Sequence, residues 1–180
     1  MDPFEIESER RGERVVRTLI IKELVKRKEV VAFELKTAKS IEGQALDTFD
    51  YIANYNQICA VHVTNGSTLH FKSEPDIEIL NKSGDPLGAV EIKAGLDPAG
   101  ALERLGAMFK SFDSILKKEP NAFTILVESC ITDEMRNRIE TSSSVRKIFL
   151  LTDVMNNRGS KGDILCSSIR SVLGLVSGGM

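Results

Sequence analysis

The chain has 180 residues, 42% of them hydrophobic and 28% charged, which is enough apolar material for one packed domain and too little for two. A formal net charge of −2 excludes a protein that coats nucleic acid by bulk positive charge, but leaves room for an enzyme that gathers lysine and arginine on one face. No run of about 18 apolar residues occurs, and the charged start MDPFEIESERRGER carries no signal-peptide core, so a single cytoplasmic domain over residues 1–180, with no membrane span, is expected.

Glu9 to about Lys28 places Val16, Ile20 and Leu24 on one face at helical spacing, with arginines and lysines on the other, and predicts an amphipathic helix. A second helix is expected after Ser40, with Glu42 in its first turn and Leu46, Phe49 and Ile52 or Ala53 recurring at intervals of three or four. The segment QICAVHVTNGSTLHFK alternates apolar and polar residues around Asn65-Gly66 and predicts a hairpin. PDIEIL and PLGAVEIKAG follow as two β-rich runs separated by the turn-formers NKSGD, and should pair antiparallel.

Beyond Gly95, a helix is expected to be capped by Asp97, to take Pro98 at its first position and to end near Lys118. Gly100 and Gly106 are expected to mark its close packing on a sheet. The remainder alternates: strand AFTILVES, helix TDEMRNRIE starting at Thr132, strand VRKIFLLT, a polar loop NNRGSKGD and a last helix from about Ile164 to Val176. Strands separated by helices imply a parallel part to the sheet, and the whole pattern is α/β, a central mixed sheet flanked by helices. Cys59, Cys130 and Cys166 are widely spaced in apolar settings, without a CxxC or Cys/His cluster, and are expected to be buried thiols.

The chemistry is concentrated in Pro75-Asp76-Ile77-Glu78-Ile79 and Val90-Glu91-Ile92-Lys93. Glu91 and Lys93 are two apart, so both leave one face of a strand while Ile92 enters the core. Ionic side chains on a buried strand cost several kcal/mol, of order 5, unless compensated, and a divalent cation is one such compensation. A turn that returns Asp76 beside Glu91 adds a second carboxylate. Two carboxylates and a backbone carbonyl suit Mg²⁺, which retains waters and takes further ligands from phosphate oxygens. An ammonium at Lys93 would position the attacking water or offset developing charge.

PDIEI followed by AVEIKAG resembles the PD-(D/E)XK pattern of nucleases with the restriction-endonuclease-like core. The resemblance implies that Asp76 and Glu91 ligate Mg²⁺, for which Mn²⁺ can substitute, and that Lys93 assists the attacking water. AVEIKAGLDPAGALERLGA and TILVESCITDEM resemble, more narrowly, the segments after the catalytic lysine in restriction enzymes related to XcyI, a match over residues 75–155. Members are longer, so a compact relative and a core domain are both open. The family often adds a glutamate from its first helix, for which Glu13 is the candidate: it lies three residues before Val16 and seven before Ile20. An exposed first-turn glutamate favoured by the helix dipole is the alternative.

A solvated hairpin face with a cross-strand ion pair is the competing account of Asp76, Glu91 and Lys93; the hydrophobic frame, the proline and the downstream helix favour a site. Glu78 is taken as a neighbouring polar position and His62 and His70 as structural. Lys110, Lys117, Lys118 and the 156–161 loop, with Asn156, Asn157, Arg158 and Lys161, are candidate DNA contacts, and Arg104 either touches phosphate or pairs with a carboxylate. The expected function is a Mg²⁺-dependent type II restriction endonuclease acting on double-stranded DNA as a homodimer, since symmetric double-strand cleavage needs two sites or sequential nicking and a dimer supplies two sites by symmetry. A junction or repair nuclease with the same core, and a non-catalytic DNA-binding module, are the alternatives.

Overall fold

The computed structural model of the protein describes residues 3–95, 97 and 100–175. Eight strands form one mixed sheet in the order β2-β1-β3-β4-β5-β6-β7-β8. These are β1 (Val30–Leu35), β2 (Ser40–Glu42), β3 (Ile58–Val63), β4 (Thr68–Phe71), β5 (Ile77–Leu80), β6 (Pro86–Lys93), β7 (Phe123–Glu128) and β8 (Lys147–Leu150). Neighbours from β2 to β6 run antiparallel, whereas β6, β7 and β8 are parallel. The α/β mixed-sheet architecture is the expected one.

Helices cover the sheet on both faces. The inward stripe of α1 (Pro3–Lys26), with Val16, Ile20, Ile21 and Leu24, joins Val90, Ile92, Ile125 and Val127 in one buried cluster, which α5 (Leu151–Met155) and α6 (Lys161–Val172) complete. On the opposite face Leu105, Met108, Phe112 and Ile115 of α3 (Ala101–Lys118), with Met135 and Ile139 of α4 (Asp133–Glu140), bury Ala89 and Leu126. Alternation along β6 therefore sends Val90 and Ile92 to one core, and Ala89, Glu91 and Lys93 to the other side.

The Asn65-Gly66 hairpin forms as expected. Gly66 takes φ +86°, and the Asn65 side chain accepts the Ser67 N–H at 3.0 Å, so the loop turns without strain. The NKSGD turn likewise closes between β5 and β6, with Asn81 N–H donating to Asp85 O at 2.9 Å.

Several expectations give way. Ser40–Glu42 is an edge strand rather than the start of a helix, and only α2 (Ala45–Thr48) is helical beyond it: pairing with Glu34 and Phe33 of β1 outweighs a weak helical period. Asp97 is not the cap of α3: its Oδ2 accepts the Gly100 N–H at 2.9 Å, and the helix opens at Ala101 after Gly100; Pro98 lies outside the described residues. The Arg104 guanidinium reaches back from α3, donating to the carbonyls of Gly95, at 3.2 Å, and Asp97, at 2.8 Å. Gly106 faces open space and Gly100 faces Arg104, so neither marks helix-on-sheet packing.

The strand expected over VRKIFLLT stops at Leu150, where Leu151 starts α5. The last helix begins at Lys161 instead of Ile164, because Asn157 Oδ1 accepts the N–H groups of Gly162 and Asp163 and caps it; Val176 lies outside the described residues. Cys166 is buried, but Cys59 and Cys130 are only half-buried, and all three are free. Among the described residues no helix is long and apolar enough to cross a membrane.

Gly12 sets how closely α1 approaches the end of β6. A Cβ there would lie 2.4 Å from the Ala94 Cβ and 3.0 Å from a Leu151 methyl. Gly12→Ala should therefore lower stability by about 1–2 kcal/mol in urea denaturation, overpacking exceeding the helix-propensity gain of about 1 kcal/mol. Ala94→Gly in the same chain should restore part of the loss, whereas an unchanged or raised midpoint for Gly12→Ala alone would contradict the close approach.

Candidate active site

β6 is the strand at which antiparallel pairing gives way to parallel pairing, and the charged residues gather at its C-terminal end. The β5–β6 register pairs Ile77 with Val90, which sets Asp76 alongside Glu91 on the neighbouring strand. The Asp76 Oδ2 accepts the Ile92 N–H at 2.7 Å. Lys93 Nζ lies 2.8 Å from Glu91 Oε2 and 3.9 Å from Asp76 Oδ2. The structure thus brings Asp76, Glu91 and Lys93 into one cluster.

Burial dominates the electrostatics. Asp76 is 3% exposed and Glu91 1%. Burial pushes the Asp76 carboxyl up to about 8, against the pull of Lys93 and the Ile92 N–H, while the negative charges of Glu91 and Glu13 push it further the same way. Two adjacent buried carboxylates resist sharing two negative charges, and one lysine offsets only one of them. Glu91 Oε1 is buried with no hydrogen-bond partner, an expensive state for a carboxylate oxygen. An orphaned oxygen beside a second carboxylate has the donor chemistry for a hard divalent cation. Among the described residues no group of three or more His, Cys, Asp and Glu side chains gathers at metal-holding spacing, so water and substrate oxygens would have to complete such a shell.

Glu13 stands on α1 next to this corner, its Oε2 3.2 Å from Arg17 Nη2. Its charge is felt at Asp76, but its closest ionic partner is an arginine. Glu78 is buried and ion-paired with Lys72. His62 contacts the Thr68 hydroxyl at 3.1 Å, and its Nε2 lies 3.5 Å from Glu34, on strands away from the cluster.

Lys110 and Lys118 line a small cavity of about 200 Å³ with Lys72, Pro75, Glu78, Ser111 and Ser114, beside the segment that leads into Asp76. Lys117 does not line it. In the 156–161 loop Asn157 is committed to capping α6, and Arg158 approaches Asp153 at 4.0 Å.

Glu128, at the end of β7, was not singled out in the sequence. The parallel register sets it beside Lys93, and its Oε1 accepts the Cys130 N–H at 3.3 Å. The available signal was the same as for Glu91: an acidic residue closing a run of apolar strand residues. Arg17 was missed too, although its position four residues after Glu13 is the spacing of a helical ion pair.

The eight-stranded mixed sheet flanked by helices is consistent with a restriction-endonuclease-like fold. The family model described as XcyI restriction endonuclease matches residues 54–176, more than half of the chain, and the protein belongs to that family. No curated protein matches the chain.

Burial pushes Glu128 up from 4.5 to about 7, with the Cys130 N–H, Arg104 and Lys93 pulling the other way. A carboxyl raised in the folded state stabilises most below its unfolded value, and loses that contribution as pH rises through the folded one. Glu128→Gln, compared with the parent protein in EDTA, should therefore gain relative stability from pH 4.5 to 8, by up to about 3 kcal/mol, and plateau above that. A difference that stays flat between pH 4.5 and 8 in urea unfolding would contradict the buried, protonated carboxyl.

Proposed function

We propose that this nuclease is a Mg²⁺-dependent, site-specific type II restriction endonuclease of the PD-(D/E)XK kind, in which residues 1–180 form one nuclease domain acting on double-stranded DNA in the cytoplasm. The observation that carries the reading is the buried Asp76–Glu91 pair with an unpartnered Glu91 oxygen and an ammonium 2.8 Å away. Asp76 and Glu91 would hold the ion, and Mn²⁺ would substitute for Mg²⁺ because both accept octahedral oxygen ligands. When bound, the ion supplies Lewis-acid stabilisation of the charge that develops on the phosphate.

The remaining work falls to the chain. The Ile92 N–H fixes Asp76 Oδ2, so one carboxylate oxygen is oriented before substrate arrives. Lys93 offers three donors on a compact charge; it orients the attacking water and offsets the negative charge accumulating on the phosphate. Glu13 adds negative potential to the site from α1. Lys110 and Lys118 supply positive charge along the cavity beside Asp76 and would take the backbone phosphates of the bound strand. Cutting both strands of a symmetric site takes two such corners or sequential nicking by one, and a homodimer supplies two by symmetry.

The test is cleavage of a plasmid and phage DNA panel with Mg²⁺, with and without EDTA, beside Glu91→Ala and Lys93→Ala. Discrete fragments should appear for the parent protein, disappear in EDTA, and fall by at least about 100-fold in rate in both variants. Cleavage of branched but not linear duplex would replace the type II assignment with a structure-specific nuclease. Variants that cut as well as the parent would remove the catalytic assignment. A Lys110→Glu, Lys118→Glu double variant should bind DNA more weakly, with the salt dependence of log K reduced in slope by about 2, as measured by anisotropy titration.

A further inference from the structure

Arg17 lies on α1, yet its guanidinium is spent on a segment more than fifty residues away. Its Nη2 is 3.0 Å from the carbonyl oxygen of Lys72 and 3.2 Å from that of Asp76. These are the two ends of the Lys72–Asp76 segment that joins β4 to β5, already closed by the Lys72 N–H donating to the same Asp76 carbonyl at 3.1 Å. The guanidinium rests over the Phe71 ring, 5.0 Å from its centroid, and Glu13 Oε2 lies 3.2 Å from Nη2. Arg17 is 9% exposed, and its Nε is buried with no partner.

Packing against Phe71 does not require this charge, since a methionine would fill the same volume with less desolvation. What an apolar residue cannot supply is a pair of main-chain anchors. Holding both ends of the segment from α1 prevents the Asp76 backbone from rotating. That keeps its carboxylate on the Ile92 N–H and alongside Glu91. Glu13 cancels the guanidinium charge, so the anchor does not repel a cation bound nearby.

We propose that Arg17 is a positioning residue for the cation site: it acts through the main chain of Asp76, and Glu13 serves by neutralising and orienting Arg17. This inference rests on Asp76 and Glu91 being the ligands. Partners that orient metal ligands from outside the coordination shell typically carry about 10–100-fold of metal affinity.

The test is a Mn²⁺ titration of the whole chain, followed by the electron paramagnetic resonance of free Mn²⁺, for the parent protein, Arg17→Met, Arg17→Lys and Asp76→Asn, with metal-free melting curves alongside. Arg17→Met should melt within about 4 °C of the parent, and bind Mn²⁺ about 10–100-fold more weakly. Arg17→Lys, which can reach one carbonyl but not both, should fall between. A purely structural arginine would lower the melting temperature and leave the affinity of the folded protein unchanged, and that result overturns the proposal. If Arg17→Met does not fold, Arg17→Lys decides, and parental Mn²⁺ affinity in it overturns the proposal equally. A parent protein that binds Mn²⁺ no better than Asp76→Asn overturns the ligand assignment itself, a failure distinct from that of Arg17 alone.

Discussion

Asp76 and Glu91 bring two carboxyl groups into a corner of the sheet where each is nearly sealed from water, and most of the surrounding architecture follows from keeping them there. Ionising both would add mutual repulsion to the cost of desolvation, and the Asp76 carboxyl is accordingly pushed up to about 8, by burial first and by Glu91 in part. Lys93 offsets part of this, and the Ile92 N–H a further part on Asp76 alone. A bound divalent cation would offset the rest of that cost.

The sheet topology is what makes that corner available. An antiparallel hairpin returns Asp76 to the end of β6, while the parallel pairing of β6 with β7 sets the C-terminal ends of both strands side by side and brings Glu128 to the same edge. Ligands in open α/β sheets collect at the C-terminal ends of the strands. α1 reaches this edge because Gly12 lets it lie close to Ala94, and it delivers Glu13 and Arg17 there. One short helix face thereby links the first twenty residues to a hairpin more than fifty residues on.

Much of this was legible in the sequence where a short period has a single physical meaning. Glu91-Ile92-Lys93 could only present two ionic groups on one face, and Asn65-Gly66 could only turn, so β3 to β6 and the central cluster follow directly. The elements that escaped are those decided by distant partners. Ser40–Glu42 is a strand because β1 lies beside it. Leu150 ends β8 with nothing in FLLT to announce the change. Arg17 was hidden among the other arginines of its helix, since its two carbonyl partners lie 55 and 59 residues away. Glu128 closes an apolar strand as Glu91 does, but its place beside Lys93 is set by parallel register between strands far apart in the sequence.

The central claim is that the Asp76–Glu91 corner holds a divalent cation, and the most direct measurement is anomalous diffraction from crystals grown with Mn²⁺. The account predicts a peak at about 2 Å from a carboxylate oxygen of each residue, with Lys93 Nζ left outside the coordination sphere. No peak at this corner under saturating Mn²⁺, or a peak only elsewhere on the molecule, would contradict it.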